Sequence, residues 1–454
     1  MRQIVSIKNV AMLLVIFLLF AGCSGRDQDS NQKQNYIKVI SNDNVKRFTK
    51  LDDGTLDKTI RDVFGWTPLL LAADTSSENI AAYLIKKGVN IDERGDDKAT
   101  AMHLAARSGA LSVVRVLLEN KAEIDASIKP GSSVIEIGEG SATYRRPPPS
   151  AMNGTPLHWA AYYDQPEIVF YLIEKGADIN ADDGYGNTPI HFAAKSGSMN
   201  MINALVKAGA DWRVKKKERY SRPDATPLHY AKTVEAAEYF ISNGISIDTD
   251  SDLGKPIHAA TYFGHTEVND YLIQNGTNVN DICYWKVGAL SSVKATPLWV
   301  AAKAGRNDVI DFLTGKGGNL YYKTKNGGSL LHAAAMHVYA HVIKHLIEKG
   351  LPVDEKAYFP NAHPAVRGLD DITPLGVASQ YGQLEAAKAL VDAGAHVNVA
   401  FADKWNALSV AVVGRNKEIV NYLLQKNANL GENSDIKNWN TSDEIKEILR
   451  KHFD

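Results

Sequence analysis

Gly154-Thr155-Pro156-Leu157-His158-Trp159-Ala160-Ala161 opens a unit that Leu172-Ile173-Glu174-Lys175-Gly176-Ala177-Asp178-Ile179-Asn180 closes. Thirty-three residues after Thr155 the pattern restarts with Thr188-Pro189-Ile190-His191-Phe192-Ala193-Ala194. Each residue type has a local reason. Thr155 suits an N-cap, because its hydroxyl can accept from an orphan amide of the first helical turn. Pro156 falls at the first helical position, where a missing N–H is harmless and φ is preset. Ala160 and Ala161 favour helix and let a second helix approach closely. The pattern predicts that second helix over Glu167 to Lys175, burying Ile168, Val169, Leu172 and Ile173. Gly176 suits the left-handed residue that ends it. One such pair cannot bury its own apolar face, so it must stack on copies of itself.

Copies start at Thr67, Thr100, Thr155, Thr188, Thr226, Lys255, Thr296, Ser329, Thr373 and Asn406, at intervals of 33, 55, 33, 38, 29, 41, 33, 44 and 33. The register survives the longer intervals, as insertions in surface loops allow. The interval of 29 predicts a compressed fifth unit, because almost no inter-helix turn follows Ala231-Lys232-Thr233. Such a period overrides the two or three globular domains that 454 residues would otherwise suggest. A charged fraction of 23% and an apolar fraction of 44% argue against global disorder. The formal net charge of −1 supplies no global field for nucleic acid or a membrane surface. Cys23 and Cys283 are the only cysteines, which excludes a disulfide framework.

The Thr-Pro-Leu-His-x-Ala opening at this period resembles the ankyrin repeat. The resemblance implies an all-α fold, an ankyrin-repeat solenoid of about ten helix pairs with β-hairpin loops, placed at 65–94, 98–127, 153–182, 186–215, 224–249, 253–281, 294–323, 327–356, 371–401 and 404–433. A half repeat at 36–64 would cap the first unit, and a polar helix within 434–454 would cap the last. The motif histidine stands as His103, His158, His191, His229, His258 and His332, and is replaced by Leu70, Trp299, Gly376 and Ser409. By the same resemblance, the six histidines bond the backbone of the neighbouring loop.

Residues 1–22 read as an export signal, with Arg2 and Lys8 before an apolar run from Val10 to Phe20. That run is too short to span a bilayer. Leu19-Phe20-Ala21-Gly22-Cys23 resembles the lipobox of bacterial lipoproteins, although Phe20 departs from the usual Leu. The resemblance implies cleavage before Cys23 and lipidation of it. Ser24 lacks the inner-membrane retention charge, so the periplasmic face of the outer membrane is the expected location. Residues 23–35 are polar and read as a flexible tether.

No nucleophile elbow, zincin motif or Walker loop occurs, so catalysis is not expected, nor is a cofactor or metal. Gly138-Glu139-Gly140-Ser141 lacks the lysine of a phosphate loop and reads as a turn inside the insertion 127–153. Its flanks suit a hairpin, followed by the extended arm Arg145-Arg146-Pro147-Pro148-Pro149, which either clasps a partner or is a tolerated loop. Arg213, Lys215, Lys216, Lys217, Arg219 and Arg222 form either a solvated loop or a dock for an acidic protein surface or anionic lipid headgroups. His341 and His345 stand i, i+4 and could share a divalent ion, but no third ligand is near in sequence. They read as exposed helix histidines.

Partners of ankyrin repeats usually meet the concave face, to which the positions just after the Ala-Ala pair belong. By that resemblance the candidate contacts are Arg107, Tyr162, Tyr163, Lys195, Tyr262, Phe263, Lys303 and Tyr381, with Trp212, Tyr284 and Trp285 from loop tips. Aromatic residues and arginine dominate interface energies, which singles out the tyrosine and phenylalanine pairs. The architecture is similar to that of ankyrin-type immunity lipoproteins. It implies a monomeric, membrane-tethered, non-enzymatic protein that neutralises a toxic effector enzyme such as a phospholipase. The alternative is an envelope scaffold or stress adaptor with several weaker partners. Nucleic acid is not an expected partner.

Overall fold

The computed structural model describes residues 36–51, 65–128, 153–213, 225–251, 253–287, 291–359, 369–401, 405–431 and 441–453. The export signal, Cys23, the tether, and the insertion's hairpin and proline arm lie outside the described residues. So do Lys215, Lys216, Lys217, Arg219 and Arg222 of the basic run. The chain divides into two compact units, Met1–Pro189 and Ile190–Asp454.

In the first unit, helix 36–41 and helix Val45–Leu51 precede three helix pairs: Pro68–Asp74 with Glu78–Lys86, Ala101–Ser108 with Leu111–Glu119, and Pro156–Tyr162 with Pro166–Glu174. First helices stack on first helices and second on second. Ala105, Ala106, Ala160 and Ala161 are fully buried, so the close approach that small side chains allow is realised. The N-terminal segment caps the stack through polar bonds as well as burial. Asp43 accepts from the amides of Asn79 at 3.2 Å and Ile80 at 2.9 Å, taking up donors that helix Glu78–Lys86 leaves free. Phe48 is fully buried and meets Tyr83 edge-on.

The second unit continues the pattern with Pro189–Ser196 and Met199–Lys207, Pro227–Tyr230 and Val234–Ser242, Pro256–Phe263 and Thr266–Gln274, and Pro297–Lys303 and Asn307–Gly315. Leu330–Ala335 and Ala340–Glu348, Pro374–Gln380 and Leu384–Asp392, and Ala407–Val413 and Lys417–Gln425 follow. Helix Asp443–Phe453 closes the stack, burying Ile445 and Leu449 beneath a charged outer face. Among the described residues the strands form two hairpins, in which Cys283–Val287 pairs antiparallel with Ser291–Ala295, and Ala357–Phe359 with Leu369–Ile372, and single bridges join Ile128 to Gly154 and Phe401 to Trp405. The fold is all-α with short hairpins, as the pattern of the sequence implies.

The buried histidines knit successive repeats. Thr155 caps its helix in a reciprocal box: its amide donates to His158 Nδ1 at 3.0 Å, and its hydroxyl accepts from the His158 amide. Nε2 of His158 then donates to the Asn187 carbonyl of the following finger at 3.1 Å. His103, His191, His229, His258 and His332 reach the carbonyls of Gly154, Ala225, Gly254, Ala295 and Ile372 in the same way, at 3.0–3.2 Å. Burial favours the neutral ring, lowering the pKa of His158 and pushing His103 down to about 3 and His229, His258 and His332 to about 4.

Candidate functional site

Residues that the repeat needs for stacking are buried, so a contact surface has to come from what remains at the C-terminal ends of the first helices and the turns after them. Aromatic side chains occupy such surfaces in both units.

In the first unit Tyr162 and Tyr163 follow the buried Ala160-Ala161 pair at the end of helix Pro156–Tyr162. Their rings meet edge-on at 5.2 Å, and Tyr163 is 37% exposed. Arg107 occupies the equivalent position one repeat earlier. Its guanidinium pairs with Asp74 and lies over Trp66 at 5.2 Å and Trp159 at 6.0 Å. Most of that side chain is therefore engaged within the protein, and Arg107 serves the stack before it serves a partner.

In the second unit a connected set of rings spans three repeats. Phe263 lies 5.4 Å from Tyr262, 5.9 Å from Tyr230 and 5.9 Å from His265, which stacks on it. Lys195 sits 5.9 Å from the Phe263 ring centre. Tyr262 is exposed and leans on Trp285 at 5.5 Å. Tyr230 is a member that sequence reasoning did not select. It follows the motif histidine, where Trp159 and Phe192 sit in the two preceding repeats. An aromatic at that position in three successive copies was the available signal.

Two loop-tip candidates turn out to be internal. Trp212 is only 8% exposed, with Arg213 over its ring at 4.0 Å, and Trp285 is 5% exposed in the core beneath the finger Cys283–Val287. A strand alternates its faces, so when Tyr284 points outward its neighbour Trp285 must point in. Tyr284 is indeed exposed, with Lys294 above its ring at 5.6 Å. Tyr381 is exposed at the end of helix Pro374–Gln380, while Lys303 is half-buried and its ammonium pKa is lowered by that burial.

The histidines of the eighth repeat find local partners. His345 Nε2 is 2.8 Å from Asp311 Oδ1, an oxygen that Lys349 also reaches at 2.6 Å. His341 Nε2 lies 3.2 Å from the Gly305 carbonyl. Asp311 stands 34 residues from His345, which is why sequence proximity missed it. Among the described residues no group of three or more His, Cys, Asp or Glu side chains could hold a metal ion.

The family profile described as ankyrin repeats (3 copies) matches residues 37–128, 143–216 and 356–434, more than half of the chain. The chain belongs to the ankyrin-repeat family. Its ankyrin repeats are 26% identical over 354 residues to the human transient receptor potential cation channel subfamily A member 1, covering 64% of this chain and 31% of that protein. They are 27% identical over 352 residues to alpha-latroinsectotoxin-Lt1a of Latrodectus tredecimguttatus, covering 71% and 23%. Human inversin matches at 27% over 185 residues, covering 37% and 16%. The chain thus spans about a third or less of the length of these curated relatives. Ankyrin repeats are protein–protein interaction modules, and the exposed aromatics lie at positions that the ankyrin motif leaves free.

Proposed function

We propose that this chain is a non-enzymatic binding protein that captures another protein through the turn-side ends of its first helices. The observation that carries the reading is the joined cluster of Tyr230, Tyr262 and Phe263, with Tyr262 exposed to water at a position the repeat does not need for packing. Large aromatic rings left partly exposed in a connected patch are what an interface core is made from. Tyr162 and Tyr163 supply a second such patch in the first unit.

The finer reading places the protein in the bacterial envelope, lipid-anchored through Cys23, facing the periplasm and favouring the outer membrane. There it neutralises a toxic effector enzyme. Its support is the lipobox-like Leu19 to Cys23 and the polar tether, together with the similarity to ankyrin-type immunity lipoproteins. A tethered binding surface would stand where an enzyme that attacks membranes works.

The test is affinity capture from an envelope extract with the full chain as bait. One stoichiometric partner whose toxicity the chain suppresses supports the reading. Many substoichiometric partners, with survival unchanged when the chain is deleted, favour a scaffold instead. Tyr162→Ala with Tyr262→Ala should weaken the captured complex by more than about 2 kcal/mol in calorimetry. Unchanged affinity would exclude these faces.

A further inference from the structure

We propose that the aromatic face of the second unit takes an acidic segment of its protein partner, with carboxylates on Lys232 and Arg306 and apolar side chains against Phe263. The inference rests on the reading that this face binds a protein, and it specifies that partner's chemistry. Lys232 and Arg306 sit in the turns between first and second helices, on either side of His265. The Lys232 side chain lies over Gly197, and the Arg306 guanidinium lies over Gly264. Both glycines are left-handed, with φ of +83° and +82°, and a Cβ at Gly264 would come within 3.1 Å of the guanidinium carbon. The absent side chain is what lets the cation lie flat there.

Among the described residues, no carboxylate forms an ion pair with Lys232, Arg306 or Lys303, although thirteen other pairs occur. Nε of Arg306 is buried and has no acceptor. Glu235, Glu267 and Asp308 are nearby in sequence, but they occupy first turns of second helices, where they complement the helix dipole. The charges that His265 feels are both positive, from Lys232 and Arg306, and together with burial they push its pKa down to about 4. One repeat further on, Lys303 and His337 show the same pattern: His337 is pushed down to about 4 by burial and by Lys303. Arg306 is half-buried and Lys232 is exposed, so a carboxylate of a ligand can reach both and supply the counter-charge that neither has among the described residues. The whole chain has a formal net charge of −1, so the cationic character of this face is local and not part of a global excess.

The rings beside these cations favour a polypeptide over a free anion, since Phe263 and Tyr262 offer apolar area that carboxylates alone would not use. The probe is a fluorescent 12-residue peptide alternating Glu or Asp with Leu or Phe, titrated into the full chain. Its Gln/Asn counterpart and phosphatidylglycerol vesicles serve as controls. The acidic peptide should bind at least about tenfold more tightly than the neutral one, and more weakly at 300 mM than at 50 mM salt. Lys232→Glu with Arg306→Glu should lower its affinity at least about tenfold, and Lys232→Gln with Arg306→Gln by less, with unchanged circular dichroism melting. Equal affinity for both peptides, indifference to charge reversal, or binding to the vesicles alone would overturn the proposal. A captured envelope protein that the charge-reversed chain still holds would also overturn it while leaving protein binding intact. Failure of the natural chain to capture any protein would instead overturn the functional reading itself.

Discussion

His158 accepts the Thr155 amide on Nδ1, which leaves the proton on Nε2 for the Asn187 carbonyl. Where the histidine is missing, other residues divide these two roles. In the tenth repeat the Asn406 amide donates to Ser409 Oγ at 2.8 Å, and the Asn406 side chain donates to the Asn429 carbonyl at 2.8 Å. In the ninth, Gly376 makes room for another ring: a Cβ there would lie 2.9 Å from Phe401. At His258 the motif threonine is replaced by Lys255, and Nδ1 of the histidine is left without a partner. His158→Ala should therefore strand one buried amide and one carbonyl beside a cavity, lowering stability by about 2–4 kcal/mol in urea unfolding. A loss near zero would show that the cross-repeat bond contributes little. The roles of the six histidines were legible in the sequence through the resemblance to the ankyrin repeat, whose motif histidine they match. The Asn406 substitution was not, since its acceptor lies in a different loop.

At the scale of elements, the fifth repeat is the exception that its interval of 29 residues announced. Its first helix, Pro227–Tyr230, is a single turn, and Ala231 leaves it in an extended conformation with ψ of 115°. In place of a normal inter-helix turn, the Lys232 amide bonds the Ala194 carbonyl of the preceding repeat at 3.2 Å, and Thr233 caps the second helix through the Ala236 amide. One turn has few internal amide bonds, so it relies on neighbours. Hydrogen exchange should show the amides of 226–231 exchanging about tenfold or more faster than those of helix Pro297–Lys303. Equal protection would mean that the Ala194 bond and packing compensate fully. The same shortening places Tyr230 and Lys232 close to the Phe263 face, a consequence that spacing alone did not reveal.

At the scale of the whole molecule, the buried histidines couple stability to pH. An unfolded histidine binds its proton near 6.5, whereas folded His229, His258 and His332 do so only near 4, and His103 near 3. Between those values the unfolded chain holds more protons, so stability is complete above about pH 6.5 and declines as pH falls toward 4. Each histidine contributes a slope of up to about 1.4 kcal/mol per pH unit. The urea midpoint should fall steadily from pH 7 to pH 5, a window in which most carboxylates stay ionised. A flat profile there would contradict neutral, buried rings.

The 33-residue period by itself determined the helix pairs, their caps and the left-handed glycines, because each depends on residues within one turn or one repeat. Tertiary structure decided which of the remaining side chains face water. Arg107 looked free in the sequence and is held by Asp74, Trp66 and Trp159 from neighbouring repeats. Trp285 looked like a loop tip and is core, while Lys232, which the spacing marked only as part of a short turn, and Arg306 flank the aromatic face. The physical reason is distance along the chain. Exposure and charge pairing are set by residues about thirty positions away, and the motif constrains what stacks there without constraining what remains uncovered.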